Sequence, residues 1–322
     1  MIIDDLTQYI KEYKYIPIIC GPTASGKSSI ALSLCEKIGG ELVSCDSMQI
    51  YNHLDVGTAK ATMEERSRVP HHMIDIVEPG LNYSVNDYLY GVKDVILDIL
   101  SRGKLPVICG GTGQYVSALR DGIKYVDEPI PQDLVDALYK EAEEQGIDRI
   151  YSELSLVDPE AASGIHPNNT RRVIRAYAVY KATGKTFTEW NKESKKSGPM
   201  FPFMLFEPDY EDCRDVLYDR INKRVDIMMD EGLLDEVNYL YSLDTDRTST
   251  CFQAIGYKEF KLYVENGTKE ALDRAIYEVK LNSRHYAKRQ LTWFRYIDGI
   301  IKLNPKASMS TNLDVILNKI SS

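Results

Sequence analysis

The sequence predicts an α/β fold, in which a doubly wound parallel sheet carries an all-helical insertion domain. The first observation is a set of short, almost continuous apolar runs, which are typical of parallel strands covered on both faces. The second is helical periodicity between these runs, and the third is a central stretch with helical patterns alone. We therefore predict a discontinuous core of residues 1–123 and 195–322 and a helical insertion of residues 124–194.

Length and composition exclude several classes of protein. The chain has 322 residues, 43% of them hydrophobic, with 39 Lys and Arg against 48 Asp and Glu and a formal net charge of −9. This usage argues against a largely disordered chain. No apolar run approaches the roughly 18–20 residues that span a bilayer, so we expect no membrane partner. The acidic start lacks the pattern of a secretion signal, and we expect a cytoplasmic monomer.

The six cysteines are widely scattered and form no C-x-x-C pair. This spacing argues against a zinc site or a disulfide framework. Cys20, Cys45 and Cys109 each end an apolar run, so we interpret them as small buried hydrophobic residues.

Four apolar runs are predicted as strands, and they lie at Ile16–Cys20, Leu42–Cys45, Leu105–Cys109 and Phe203–Glu207. Helical periodicity predicts four helices of the core, over Gly26–Ile38, Val85–Leu100, Asp212–Asp230 and Lys269–Arg295. Ser84 and Asp87 have the spacing of a capping box at the start of the second helix. Three helix starts are predicted in the insertion, at Pro129 and Pro131, at Asp158-Pro159-Glu160, and at Asn168 or Asn169. The first of these helices is expected to run toward Gly146 and the third to stop near Gly184.

A phosphate-binding motif follows the first predicted strand and opens the first predicted helix. Residues Gly21–Ser28 satisfy G-x-x-x-x-G-K-S/T, which identifies the core as P-loop-type. Its glycines let backbone N–H groups curl round phosphate oxygens, and the helix N-terminus adds partial positive charge. Lys27 supplies a full charge, and the Ser28 hydroxyl can hold Mg²⁺. The third strand is followed by glycines rather than by an Asp that could anchor a metal ion. The loop could therefore bind the phosphates of a compound other than ATP or GTP.

Polar residues also follow the second and third predicted strands. In doubly wound sheets ligands bind beyond the carboxyl ends of strands, so Asp46 is expected on the rim that carries the phosphate loop. A carboxylate beside bound diphosphate is costly and indicates chemistry or metal binding, with helix capping as the alternative. Gly110-Gly111-Thr112 brings a hydroxyl to the same rim or forms only a tight turn. His71 and His72 are neighbours on a strand and point to opposite faces, which favours buried or capping roles over a shared metal.

Two basic stretches interrupt this acidic chain, between Glu160 and Glu189 and between Glu278 and Asp298. Their cations are Arg171, Arg172, Arg175, Lys181 and Lys185 in the first, and Lys280, Arg284, Lys288, Arg289 and Arg295 in the second. Aromatic residues interleave the second stretch, a combination that phosphate backbones and unstacked bases favour. Solvated helix faces are the alternative, but two such stretches favour a nucleic-acid or polyphosphate surface.

Taken together, an ordered series of motifs resembles the tRNA dimethylallyltransferases (tRNA isopentenyltransferases). It consists of Gly21–Ser28, Asp46–Tyr51, Asp55–Lys60, Pro70-His71-His72, Gly110-Gly111-Thr112, His166-Pro167-Asn168, Arg224 with Gly232-Leu233, Ala254–Glu259 and Tyr286–Gln290. The resemblance runs from about Ile18 to Arg295 and is closer to the shorter bacterial form. It implies transfer of a dimethylallyl group from dimethylallyl diphosphate to the exocyclic amine of the adenosine 3′ of the anticodon.

The resemblance also implies roles for individual residues. Asp46 would be the general base that takes a proton from the adenine amine, and Thr112 would hydrogen-bond the diphosphate side of the breaking bond. Diphosphate would be bound, together with Mg²⁺, by Gly21, Pro22, Thr23, Ala24, Ser25, Gly26, Lys27 and Ser28. The anticodon stem-loop of tRNA would contact Asp46, Ser47, Met48, Gln49, Arg171, Arg172, Val173, Ile174 and Arg175.

Two residues depart from the family pattern. Ala61 stands where Pro is usual, and Asn169 replaces a common Asp; both affect loop or cap geometry rather than the reaction. Three other functions remain open on the sequence: prenylation of free AMP, ADP or ATP, a nucleotide or metabolite kinase, and a non-enzymatic RNA-binding protein. The first two would show little of the salt dependence that tRNA binding causes.

Overall fold

The computed structural model describes Ile3, Asp5, Leu6 and residues 8–123, 130–194 and 198–322. The described chain divides into two compact units, one formed by Met1–Leu119 with Met200–Ser322 and the other by Arg120–Pro199. The predicted division set the boundaries at 123/124 and 194/195. Pro129, predicted to open a helix, lies outside the described residues.

The first unit is built on six parallel strands in the order β3-β2-β4-β1-β5-β6. They are β1 Ile16–Cys20, β2 Glu41–Ser44, β3 His71–His72, β4 Pro106–Gly110, β5 Phe203–Pro208 and β6 Ile301–Leu303. This parallel sheet confirms the predicted doubly wound α/β fold. The four predicted strands are present within one residue at each end, whereas β3 and β6 were not predicted.

The helices of the described chain are numbered in sequence order. Those of the first unit are α1 Lys27–Ile38, α2 Met63–Arg68, α3 Val85–Ser101, α4 Gly113–Asp121 (which ends in the second unit), α10 Arg214–Asp230, α11 Leu233–Ser242, α12 Lys261–Asn266, α13 Lys269–Arg295 and α14 Met309–Ser321. Those of the second unit are α5 Gln132–Gln145, α6 Ile147–Val157, α7 Pro159–Gly164, α8 Thr170–Thr183 and α9 Phe187–Ser194.

Burial of both sheet faces explains why the central strands read as apolar runs. Every residue of β1, β2 and β4 is buried, with helices packed against the sheet. The register pairs Cys20 with Gly110, so the loops after β1 and β4 leave the sheet side by side. The predicted capping box of α3 is present, because Ser84 accepts from the Asp87 N–H and Asp87 accepts from the Ser84 N–H.

A second apolar cluster supports the loops beyond the sheet. It is formed by the chain after β2 together with α10, α11, α13 and the turns before α12, and Tyr51, Phe252, Tyr257 and Phe260 are almost fully buried in it. This cluster fixes α10 and α13 next to the loops that follow the strands.

The second unit is helical throughout its described residues, around a core that includes Leu154, Val173 and Ile174. Asp158 caps α7 and Asn169 caps α8, as two of the predicted helix starts require. Gly184 ends α8 in the left-handed conformation, with φ 71°. Asn169 thus supplies the capping oxygen that an Asp would supply. Two features of this unit were not predicted from the sequence. Helix α6 starts immediately after Gly146, and α9 is an additional helix.

All six cysteines are unpaired, and five of them, including Cys20, Cys45 and Cys109, are buried. Among the described residues, no helix combines the length and apolar character needed to cross a membrane.

Candidate active site

The loop between β1 and α1 forms a cup at the carboxyl end of the sheet. Gly21 and Gly26 have φ of 134° and 88°, a conformation that suits glycine, and Ala24 between them has φ 61°. The Lys27 ammonium donates to the Pro22 carbonyl at 3.1 Å and so folds back over the loop. The Ser25 hydroxyl is buried and has no hydrogen-bond partner. A buried polar group without a partner is costly, which indicates that a ligand completes this loop.

A cavity of about 450 Å³ opens on this cup. Its lining includes Thr23, Gly26, Lys27, Ser28, Asp46, Gly110, Arg220, Lys223, Arg224 and Gln290. Desolvation lowers the pKa of Lys27 below its ordinary 10.5, while the charge of Asp46 acts in the opposite direction and that of Arg224 reinforces the decrease. Five cations line this cavity; Lys60 is paired with Asp55 and Asp75, and the other four, Lys27, Arg220, Lys223 and Arg224, form the charge pattern of a site for a polyanion.

A second cavity of about 320 Å³ shares part of this lining. The residues common to both are Thr23, Asp46, Thr58, Arg224 and Tyr286. Its other walls combine the apolar side chains of Met48, Ile221, Val225 and Met228 with the polar or charged side chains of Gln253, Lys258 and Arg289. The two cavities therefore meet at Asp46: the first contains the phosphate loop, and the second has a mixed lining that suits an aromatic base with polar groups.

Asp46 is held by its own loop. Its Oδ1 accepts the Met48 N–H at 2.9 Å within a turn, and the described residues directly after it form no helix that Asp46 could cap. The carboxylate also lies near Lys27 and Arg224, since its charge raises the pKa of both groups against the lowering effect of desolvation. Asp46 is thus an oriented carboxylate at the junction of the two cavities.

Thr112 contacts the Asp46 loop from the neighbouring strand. Its hydroxyl oxygen accepts the Ser47 N–H at 2.9 Å and lies 3.3 Å from the Ser47 Oγ, to which it donates. The Tyr286 hydroxyl lies nearby, and desolvation raises its pKa. In this geometry Thr112 fixes the loop that carries Asp46.

Helix α10 contributes three cations to the site. Arg220 and Lys223 were not predicted from the sequence, and Arg224 was noted only as part of the family resemblance. The Arg220 Nε donates to the Ala24 carbonyl at 2.8 Å, and the Arg224 guanidinium donates to the Thr23 Oγ1 at 3.1 Å. Residues three and four apart lie on one helix face, and Lys223 therefore lines the same cavity. The i, i+4 spacing of these arginines was the available signal, but nothing local related them to a loop some 200 positions earlier.

The wall loop, which we define as residues 54–60, contributes to the lining of both cavities. The Glu236 carboxylate accepts the N–H groups of Asp55, Val56 and Gly57 at 2.5, 2.9 and 2.8 Å. At the other end of the loop Lys60, whose side chain is 1% exposed, pairs with Asp55 at 2.8 Å and with Asp75 at 2.5 Å. Residues Gly57, Thr58, Ala59 and Lys60 line one or both cavities. The Asp55–Lys60 motif is therefore part of the site wall.

The residues predicted to contact tRNA fall into two groups. In the first unit, Ser47 and Met48 line the second cavity and Gln49 the first, where its amide donates to the Thr58 carbonyl at 3.2 Å. In the second unit, Arg171, Arg172 and Arg175 are exposed on α8. Val173 and Ile174 are 0% and 1% exposed, so their side chains face the helical core rather than solvent.

The second basic stretch is largely engaged within the protein. Lys280 pairs with Asp226, Arg295 pairs with Glu211, and Arg284 bonds the Asn222 side chain. Arg289 lies over the Tyr286 ring at 5.6 Å and lines the second cavity. Gln290 bonds Thr23 in the loop after β1 and Gly111 in the loop after β4.

The histidine pair has structural partners. His71 Nδ1 lies 2.7 Å from the Val69 carbonyl, and His72 Nε2 lies 2.8 Å from the buried Glu41 carboxylate. Ala61 lines the first cavity and its carbonyl accepts the Arg66 Nε–H at 2.9 Å. The two histidines have different partners, as expected of neighbours on a strand.

The described residues contain no cluster of three or more His, Cys, Asp or Glu side chains that could hold a metal ion. A Mg²⁺ ion that is held mainly by substrate phosphate oxygens and water needs only one or two protein oxygens. Ser28 is exposed in the first turn of α1 and lines the same cavity as Asp46. Ser28 offers a hard oxygen ligand, and the buried Ser25 hydroxyl without a partner marks the loop as a ligand site, so the residues present fit Mg²⁺ accompanying a diphosphate.

Comparison with known proteins identifies the family. The family model described as IPP transferase matches residues 49–296, and that described as isopentenyl transferase matches residues 14–75. The tRNA dimethylallyltransferase of Halothermothrix orenii is 46% identical over 280 residues, which are 86% of this chain and 84% of that protein.

Solved structures agree. The full-length tRNA isopentenylpyrophosphate transferase of Bacillus halodurans has a TM-score of 0.67 at 39% identity, covering 95% of both chains. A eukaryotic dimethylallyltransferase acting on tRNA has a TM-score of 0.79 at 30% identity, covering 94% of this chain and 77% of that one. The resemblance predicted from the motifs is thus confirmed, and the chain belongs to the tRNA dimethylallyltransferase family of prenyltransferases.

Proposed function

We propose that this protein transfers the dimethylallyl group of dimethylallyl diphosphate to the exocyclic amine of the adenosine 3′ of the anticodon in tRNA. The observation that carries the proposal is the position of Asp46, which lines both the cavity over the phosphate loop and the adjoining second cavity. A base at this junction can meet an amine on one side and a diphosphate ester on the other. The family relationship supports the same reaction.

The diphosphate is bound in the cup of the phosphate loop. The positive end of α1, the Lys27 ammonium and the free backbone N–H groups of the phosphate loop attract its oxygens; the Thr23 N–H is already donated to Gln290. Arg224 lines the same cavity and adds a planar set of donors suited to phosphate oxygens. Because these donors are in place before reaction, they stabilise the charge that accumulates on the leaving diphosphate.

The same geometry identifies the group that accepts the proton during the transfer. The adenine amine attacks the allylic carbon as the bond from that carbon to the diphosphate oxygen breaks. The diphosphate departs with the bonding electron pair, and Asp46 accepts the proton that the amine loses. Thr112 holds Ser47, and thereby positions Asp46; its predicted bond to the diphosphate side of the reacting ester stays a proposal.

Mg²⁺, when bound, neutralises part of the negative charge on the diphosphate. The hydroxyl of Ser28 is the protein oxygen that would hold it, which leaves the Asp46 carboxylate available to accept the proton. This is the only role that we assign to the metal.

The RNA substrate must present an unstacked adenine, since the amine of a stacked base cannot reach an enclosed site. Ser47, Met48 and Gln49 line the cavities beside Asp46 and are proposed to contact the loop nucleotides. The exposed Arg171, Arg172 and Arg175 are proposed to contact phosphates of the anticodon stem-loop. A tRNA substrate agrees with the cytoplasmic location expected from the sequence.

The decisive assay offers unmodified tRNA, AMP and ATP separately with dimethylallyl diphosphate and Mg²⁺ and measures product mass. We expect the mass of one five-carbon unit to be added to tRNA alone. Addition to AMP or ATP instead would assign the protein to nucleotide prenylation. Cleavage of ATP without prenyl transfer would refute the proposal.

Asp46→Asn tests the base directly. The amide keeps the oxygen that accepts the Met48 N–H but cannot accept a proton, so single-turnover transfer should slow by about 10²–10⁴-fold, as removal of a general base does. Binding of tRNA should change by less than about threefold. The control is Asp273→Asn, the same change at an exposed position of α13, which should leave the rate unaltered. A normal rate in Asp46→Asn would contradict the assignment.

A further inference from the structure

One buried amide joins the two loops that form the cup. The side chain of Gln290 on α13 is 5% exposed. Its Oε1 accepts the Thr23 N–H at 2.9 Å, and its Nε2 donates to the Gly111 carbonyl at 2.8 Å. Both polar ends of the amide are therefore satisfied, one by the loop after β1 and the other by the loop after β4.

The surroundings of this amide are built to admit it. A Cβ atom added at Gly111 would lie 2.4 Å from the Gln290 Nε2, a distance that real Cβ atoms do not show. Position 111 therefore needs glycine for space rather than for backbone conformation. The neighbouring residues Ala287, Leu291 and Phe294 are buried against the core, so the helix holds the amide in place.

The same threonine is held from a second helix. While Gln290 takes the Thr23 N–H, Arg224 of α10 donates to the Thr23 Oγ1 at 3.1 Å. The phosphate loop is thus fixed from α13 and α10 rather than by its own sequence alone. A loop that is already held in one conformation binds a diphosphate with little reorganisation, which favours strong binding.

We infer that Gln290 is a positioning residue, which sets the phosphate loop and the loop that carries Thr112 into register for diphosphate binding. The inference rests on the proposed function for its substrate. Its direct test uses inorganic pyrophosphate with Mg²⁺ and needs no prenyl transfer. Pyrophosphate binding by wild type without prenyl transfer would refute the proposed function and leave the inference testable.

Three variants separate positioning from structural support. Gln290→Met removes donor and acceptor at similar volume, and we expect pyrophosphate affinity by calorimetry and kcat/KM for dimethylallyl diphosphate to fall at least tenfold at every pH. Gln290→Glu turns a carboxylate oxygen toward the Gly111 carbonyl when ionised, but donates and accepts like the amide when protonated. Its deficit should therefore shrink as the pH falls from 8 to 6.

The third variant approaches the contact from the other side. Gly111→Ala should reproduce the loss of pyrophosphate affinity by displacing the amide, and it should cost less in a Gln290→Ala background, where the 2.4 Å contact is removed and the 3.1 Å contact with the Gly21 carbonyl oxygen remains. The affinity for tRNA should stay within about twofold in all variants. The control Gln8→Glu, at an exposed position, should behave as wild type.

Several outcomes would overturn the inference. One is a Gln290→Met protein whose pyrophosphate affinity and kcat/KM lie within twofold of wild type. Another is a Gln290→Glu deficit that does not change with pH, and a third is a loss confined to tRNA binding. If Gln290→Met does not fold, Gly111→Ala decides, and normal pyrophosphate binding in that variant would refute the inference.

Discussion

The carboxylate of Glu236 holds the wall loop, and its replacement by an amide has a calculable effect. One oxygen accepts the N–H groups of Asp55 and Val56, and the other accepts the Gly57 N–H and the Tyr257 hydroxyl at 2.7 Å. Glu236→Gln keeps one acceptor oxygen and turns an amino group toward two donors. Because a hydrogen bond to a charged acceptor contributes about 1.5–3 kcal/mol, removing two such bonds at this half-exposed position costs about 3 kcal/mol.

A second contribution has the same sign. Glu236 lies in the first turn of α11, where a negative charge interacts favourably with the helix dipole by roughly 0.5 kcal/mol. For a folded unit of this size, 1 kcal/mol lowers the unfolding midpoint by about 2 °C. We therefore expect a midpoint about 7 °C lower in Glu236→Gln. The KM for dimethylallyl diphosphate should also increase, since Gly57 and Thr58 line the cavities.

Differential scanning calorimetry measures the first effect and steady-state kinetics the second. The matched control is Glu231→Gln, an exposed carboxylate shortly before the same helix, for which we expect a shift of about 1 °C or less. An unfolding midpoint of Glu236→Gln within 1 °C of wild type would show that the wall loop does not depend on this carboxylate. The reasoning about the loop would then be wrong, whatever the kinetics.

Three further predictions concern charge. The pKa of Lys27 lies below 10.5, so kcat/KM for dimethylallyl diphosphate should fall as the pH rises through that pKa and the ammonium loses its charge. The Lys27→Arg protein, whose side chain stays charged, should lack this decline. The same decline in both proteins would refute the role of the Lys27 charge. Replacing Arg171 and Arg175 by Ala should weaken tRNA binding. The slope of log K against log salt concentration should also decrease by about 1 for each phosphate that the variant no longer binds. Filter binding between 50 and 200 mM salt measures this slope, and an unchanged slope would exclude phosphate contacts by these arginines. The buried Glu41 accepts hydrogen bonds from Arg102, which hold its pKa well below 4.5 despite burial. Ionised Glu41 therefore stabilises the fold fully above pH 4.5, and this stabilisation is lost progressively as the pH falls below 4.5. The stability difference between wild type and Glu41→Gln, from urea unfolding, should therefore shrink from pH 6 to pH 3, and a constant difference would contradict this.

Most of the fold was predictable because the central strands are buried on both faces. Such strands read as unbroken apolar runs, and the helices between them carry clear periodicity. The edge strands His71–His72 and Ile301–Leu303 were not predicted, because two or three residues carry no period. They form only because a neighbouring strand offers its free edge.

The site divides in the same way into local and long-range parts. Phosphate-loop residues, Asp46 and Thr112 directly follow strands, so their convergence at one end of the sheet could be inferred from the sequence. The contacts of Arg224 and Gln290 with Thr23 join residues 201 and 267 positions apart. No local pattern specifies such a pairing, which depends on how α10 and α13 pack on the second apolar cluster.

The wall loop shows why family motifs need not carry chemistry. It has no regular secondary structure, so its shape depends on its charged contacts: Lys60 is almost fully buried between Asp55 and Asp75, and Glu236 accepts three successive N–H groups. Asp55 and Asp75 are 59% and 30% exposed, so removing either carboxylate leaves the buried Lys60 ammonium with the other, and the cost is smaller than for a fully buried pair. Gly57 is constrained as well, because an added Cβ would lie 2.6 Å from the Tyr257 hydroxyl oxygen. Residues of this loop that take no part in the reaction therefore fix the width of the cavities in which it occurs, and substitutions there should alter substrate affinity and stability together.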